Sequence, residues 1–266
     1  MTKQKSVLIL FLLLFIISCS TVPITGRKQL SLIPNSQMLS MSYQQYGDFL
    51  KSNKVSTNQE QTQMVKRIGG KIQSAVERYF AQKNMSDQLA DYRWEFNLVE
   101  SNEVNAWCMP GGKVVVYTGI LPVTQTEAGL AVVMGHEIAH AIAQHGGERM
   151  SQELVAQLGG VALTTALEKQ PEKTKQLWMG VYGLGAQYGA ILPFSRLHES
   201  EADHLGLIFM SMAGYNPNEA VTFWGRMASS SKGQAPPEFM STHPSDATRI
   251  EDLKKEVPEA MQYFQK

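Results

Sequence analysis

In His136-Glu137-Ile138-Ala139-His140 two imidazoles stand four residues apart with a carboxylate beside the first. On a helix each residue turns the chain by about 100°, so His136 and His140 lie about 40° apart on one face, separated by one turn. Two imidazoles so placed can meet one metal ion. Glu137 is then positioned to take a proton from a water on that metal, and zinc lowers the pKa of such a water to about 7. The chain holds 6 histidines in 266 residues, and the expected number of chance matches to the pattern is on the order of one in a hundred. Apolar Leu130, Val132, Val133, Met134, Ile138, Ala139 and Ile142 surround the trio, where an unpartnered His-Glu-His would be costly to bury.

A catalytic zinc takes three protein ligands and leaves one position for water. His145 is nine residues beyond His136, which puts it about 180° around a continuing helix. The metzincin pattern fails as well, because Ala143 and Gly146 stand where Gly and His are required. His145 therefore reads as structural. Glu199-Ser200-Glu201-Ala202-Asp203 suits the role better. Glu199 and Asp203 share a helix face while Glu201 points away. Glu199 is then the third ligand and Asp203 accepts the far N–H of a ligand histidine. The alternative is a solvated acidic face, but Leu205, Leu207, Ile208 and Phe209 follow directly and place the segment beside a core. His243 and Arg249 form a further pair around Pro244. His243 can steady a developing oxyanion, reach the zinc itself, or sit in a helix-capping loop.

The elements that must position these groups are mostly helical. Asn35 or Ser36 caps a helix to about Leu50, and a second is expected from Asn58 to about Gln82 on the spacing of Ile68, Ile72, Ala75, Val76 and Tyr79. Residues 92–99 alternate as a strand, and Pro110-Gly111-Gly112 turns into the β-branched run Val114-Val115-Val116. Thr124-x-x-Glu127 reads as a capping box opening the His136 helix, which should end near Gly146-Gly147. Further helices are expected at 150–168, 172–190, 195–213, 217–229 and 245–256. The fold class is thus α+β, predominantly α, with a small sheet. Residues 177–194 carry no charge; burial against the rest of the domain is expected, with a membrane surface as the alternative.

Composition is that of a globular chain, 43% hydrophobic and 18% charged with a formal net charge of zero, so no basic excess points to nucleic acid. Two cysteines, Cys19 and Cys108, exclude a disulfide framework. Lys3 and Lys5 precede the apolar run Val7 to Ile17, which is too short for an ordinary spanning helix, and Ile16-Ile17-Ser18-Cys19 follows the pattern of a lipobox. The expected organisation is a lipoprotein signal peptide over 1–18, a lipid-anchored linker over 19–35 acylated on Cys19, and a metallopeptidase domain over 36–266.

These residues resemble the membrane-associated zinc metallopeptidases of the HtpX/BepA/Oma type, peptidase family M forty-eight. The resemblance is carried by Pro23-Ile24-Thr25-Gly26-Arg27, by Asn105-Ala106-Trp107 with Pro110-Gly111-Gly112, by the zinc motif, by Ser195-Arg196 before Glu199-x-x-Ala202-Asp203, and by His243-Pro244 with Arg249. It implies a gluzincin-type zincin fold and endopeptidase activity, with one zinc on His136, His140 and Glu199, and Glu137 as base. It implies that the strand of Gly112, Lys113, Val114, Val115 and Val116 is the sheet edge that aligns substrate, and that His243 can occupy the zinc and hold the site shut. Unfolded or misassembled envelope proteins are the expected substrates, at the outer membrane facing the periplasm. The rival reading is a zinc-stabilised chaperone or assembly factor that cleaves little. Trp107 stands where a Phe is usual, and partner docking through a helical repeat domain after the peptidase region is not expected.

Overall fold

A computed structural model describes residues 19–187, 191–230, 238–243 and 247–264. The expected signal peptide and Pro244 lie outside these. The described chain forms two compact units, one of residues up to Met38 with Gln144–His198, the other of Leu39–Ala143 with the residues from Glu199 onward.

In the first unit, strands β1 (Cys19–Thr21) and β2 (Lys28–Leu30) pair antiparallel within the stretch expected as linker. β2 packs on helix α5 (His145–Ala166), and α6 (Glu172–Ala186) folds back along α5. A buried ionic cluster ties the ribbon down. The Arg27 guanidinium donates from both terminal nitrogens to Glu148, at 3.0 and 2.7 Å. His198 Nε2 lies 2.8 Å from the same carboxylate, and the His145 ring stacks on His198 at 4.2 Å. Burial works to raise the Glu148 pKa, but His198 and Arg27 outweigh it and hold the carboxyl down at about 2. Over residues 177–186 the uncharged stretch departs from expectation: α6 buries no residue, and Leu177, Trp178, Val181 and Leu184 are exposed. Among the described residues α5 is its one sizeable neighbour.

The second unit contains α1 (Asn35–Ser52) from Leu39 on, α2 (Gln59–Gln82), a short α3 (Leu121–Thr124), α4 (Glu127–Ile142), α7 (Leu192–Met212) from Glu199 on, α8 (Asn218–Ser230), α9 (Glu238–Thr242) and α10 (Ala247–Ala260). Asn58 caps α2, accepting from the Gln61 amide at 3.1 Å. α2 packs Val65, Ile68, Ile72 and Val76 against α4 and the sheet. The sheet has the order β3-β5-β4, with β3 (Glu95–Val99) parallel and β4 (Ala106–Met109) antiparallel to β5 (Lys113–Tyr117).

Three expectations change here. β5 is hydrogen-bonded on both sides, so Gly112–Tyr117 is the centre of the sheet and not its edge. Its run of three fully buried valines is what a central strand requires. The edge beside the site is β4, on which α4 packs. Secondly, Thr126 and not Thr124 caps α4, accepting from the Gly129 amide at 3.0 Å. Thr124 closes α3 instead, its hydroxyl donating to the Leu121 carbonyl. Finally, α4 stops at Ile142 because Gln144 takes a left-handed conformation (φ 59°), and Gly146 and Gly147 lie inside the next helix. His145 thus leaves the site by starting a new helix, a more direct reason than its angle on a continuous one.

Candidate metal centre

α4 is buried almost all round, and its apolar residues hold it rigidly in the second unit. Leu130, Val133, Met134 and Ile138 are fully buried, each contributing about 1.5–3 kcal/mol. His136 and His140 leave this helix on one face, with their Nε2 atoms 3.0 Å apart. α7 approaches α4 very closely. A Cβ on Gly206 would lie 3.0 Å from the His136 amide nitrogen, and one on Gly135 would lie 3.0 Å from the Gly206 carbonyl. That pair of glycines lets α7 bring Glu199 and Asp203 alongside the histidines.

Glu199 places its carboxylate 3.4 Å from His136 Nε2 and 3.3 Å from His140 Nε2. His243, just past α9, completes the group. Its Nδ1 lies 3.1 Å from His136 Nε2 and 3.0 Å from both Glu199 oxygens. All four donor atoms fall within 4.8 Å of one another. Ligands bound tetrahedrally about 2.0–2.1 Å from zinc stand about 3.3–3.4 Å apart, so three imidazoles and a carboxylate at this spacing fit that ion. Lone pairs aimed at one another at such distances repel unless a cation or proton lies among them.

Asp203 and Arg249 fix the orientation. His136 Nδ1 lies 2.9 Å from Asp203 Oδ1, which directs its Nε2 lone pair toward the other donors. Arg249 grips Asp203 with two bonds of 2.7 Å and stacks on Trp224 at 3.5 Å. It also lies 3.3 Å from Glu199. Burial opposes ionisation of Asp203, yet Arg249 and His136 keep its pKa below the usual value. Burial likewise works against Glu199, and its contacts with His136, His140 and His243 hold its pKa far down. His136 shows the reverse balance: burial lowers its pKa, and Asp203 and Glu199 override that to about 9.

Glu137 is buried beside the donors, and burial raises its pKa against the pull of His243 and His136. Its Oε1 is buried with no hydrogen-bond partner, although His243 Nε2 is 3.3 Å away. His140, Glu199 and His243 keep side-chain exposures of 13–16%, so the cluster faces solvent on one side.

The expected residues His136, Glu137, His140, Glu199, Asp203, His243 and Arg249 thus converge. Lys113 to Val116 occupy the central strand and do not join the cluster. Cys19 opens β1. Cys108, on β4, is a free thiol whose pKa burial raises well above the usual value. Trp224 escaped sequence reading: an aromatic on an amphipathic helix carries no sign that an arginine will stack on it.

A predominantly helical chain with a small sheet and this donor set has the character of a zincin-type metallopeptidase. The sequence matches peptidase family M48 over residues 67–257, and the chain belongs to that family, whose metal is zinc. It is 36% identical over 191 residues to the mitochondrial metalloendopeptidase OMA1 of Schizosaccharomyces pombe, covering 71% of this chain and 53% of that protein. It is 28% identical to metalloendopeptidase OMA1 of Homo sapiens over 95% of this chain and 48% of the relative. To the beta-barrel assembly-enhancing protease of Yersinia pestis it is 31% identical, over 60% of this chain and 34% of that protein. The chain therefore spans about a third to a half of the length of these relatives.

Proposed function

We propose that this chain is a zinc-dependent metalloendopeptidase, anchored to a membrane through lipid on Cys19, that hydrolyses unfolded or misassembled proteins of the bacterial envelope. The observation that carries the enzymatic reading is the buried Glu137 carboxylate, whose Oε1 makes no hydrogen bond, beside four mutually facing donor atoms. A purely structural metal site has no use for such a base. The names of the metalloendopeptidase and assembly-protease relatives support the reading, and the lipobox-like Ile16-Ile17-Ser18-Cys19 supports the anchor.

In this reading His136, His140 and Glu199 hold the zinc. When bound, zinc supplies Lewis acidity toward a water and a peptide carbonyl. Glu137 accepts the proton of the attacking water and passes it to the leaving amine. A carboxyl whose pKa is raised by burial suits both steps. Asp203 keeps His136 in the tautomer that offers Nε2, and Arg249 keeps Asp203 in place. The free edge of β4 pairs with the substrate backbone, next to the helix that carries the base. His243 Nδ1 takes the fourth donor position and closes the site until it moves aside.

The test is cleavage of an unstructured casein-like substrate by wild type and Glu137→Gln, with zinc content measured on both. Cleavage by wild type and its loss in a Glu137→Gln protein that still holds zinc support the mechanism. Equal cleavage by the two would falsify it. Retained zinc with no cleavage by either leaves the chaperone or assembly-factor reading in its place.

A further inference from the structure

We propose that the α5–α6 hairpin docks on a lipid bilayer, lying in its interfacial layer by the faces that carry Leu158, Val161, Leu177, Trp178, Val181 and Leu184. These side chains are 52–66% exposed, and α6 buries nothing. They are not needed to hold the hairpin together, because the seam between the helices runs elsewhere. Tyr182 donates to the Ala156 carbonyl at 2.7 Å and its hydroxyl lies over Gly159, while Thr164 meets Met179. On α6, Leu177, Val181 and Leu184 fall within about 60° of one another, which makes one stripe. A helix pair that buries so little of its apolar surface marks a contact with something apolar.

The distribution of charge says what that partner is. No Asp, Glu, Lys, Arg or His occurs from Leu154 to Leu167 or from Gln176 to Gln187. Charges gather at the connection instead, at Glu168, Lys169, Glu172, Lys173 and Lys175. A Trp- and Leu-bearing face bordered by lysines is the composition of a helix at a membrane interface. No helix among the described residues is long and apolar enough to cross a membrane, so the hairpin lies on the bilayer rather than through it. Its place in the chain argues the same way. Cys19, the proposed point of membrane attachment, opens β1, β1 pairs with β2, and β2 packs on α5. The unit that exposes the hairpin is therefore the one whose N-terminal end carries that attachment. The inference rests on the membrane location in the proposed function, but not on acylation of Cys19.

Trp178 supplies the readout, since Trp94 and Trp107 are half-buried and Trp224 is buried. The full chain is reconstituted with phosphatidylethanolamine–phosphatidylglycerol vesicles whose acyl chains are brominated. The expected result is blue-shifted emission with a quenched component that disappears in Trp178→Phe. Val161→Glu with Val181→Glu should lose the same component while the protein still floats with the vesicles. Cys19→Ser, scored for acyl mass beside wild type, separates the two ideas: a Trp178 signal that persists in the variant supports the docking, and a wild type without acyl mass sinks the anchor. No quenching in wild type, or equal quenching in Trp178→Phe, overturns the proposal. So does a lipid-free dimer that shields Trp178 from acrylamide, which assigns the face to a second copy.

Discussion

The chemistry at the metal centre turns on how a few protonatable atoms face one another. His136 is the most constrained, with Asp203 on one ring nitrogen and the donor cluster on the other. His243 is held differently. It sits on a short helix end, its Nδ1 toward the other donors and its Nε2 toward Glu137. In the proposed mechanism one residue thus blocks both the fourth metal position and the approach to the base. His243→Ala should raise casein cleavage by about tenfold, the factor that 1.4 kcal/mol of bias toward the closed arrangement represents. Initial rates at saturating zinc measure it. A fall in kcat with unchanged KM would instead assign His243 to stabilising the reacting carbonyl oxygen.

At the scale of elements, the site exists because α4 and α7 touch backbone to backbone. Gly206→Val places a branched side chain against the Gly135 and His136 backbone, which cannot yield as a side chain would. The helices should separate by a fraction of an ångström to an ångström, and kcat/KM should fall about 100-fold, with zinc content lowered in the same preparation. The first unit offers a separate prediction. Glu148 has a folded pKa of about 2, below its unfolded value, so its stabilisation is present above the unfolded pKa and is lost as pH falls toward 2. Glu148→Gln should cost about 3 kcal/mol at pH 7, the order expected when a buried pair is broken. The gap to wild type in denaturant melts should narrow below pH 4. Much of this was legible in the chain. His136 and His140 announce themselves because a four-residue spacing has one meaning on an apolar helix, and Glu199 with Asp203 repeats it. The helix contact was not legible: Gly135 and Gly206 are 71 positions apart, and nothing local says they meet. Nor was the role of β5, since a valine run looks alike at the edge and the centre of a sheet, and pairing partners alone decide it. Thr124 and Thr126 both precede Glu127, and only the closing of α3 by Thr124 leaves the cap to Thr126.

For the whole molecule, the separation into two units confines what the metal can stabilise. His136, His140, Glu199 and His243 all belong to the second unit, and the first contributes none of the four. The second unit's core of Ile68, Leu98, Val114, Leu130, Met134, Phe209 and Phe223 is apolar and built of side chains other than the donors. The metal therefore adds to an existing fold by binding linkage and does not create it. Zinc held at about 1,000 times its dissociation constant contributes about 4 kcal/mol, and in a chain of this size chelation should lower Tm by about 10 °C. Circular dichroism at 25 °C should keep its helical signal. Hydrogen exchange should quicken in 127–143 and 199–212, where the donors leave their helices, and stay unchanged in Gln144–Ala166. Loss of helix throughout on chelation would show instead that the ion organises the fold, as in domains whose unfolded and metal-free states are one.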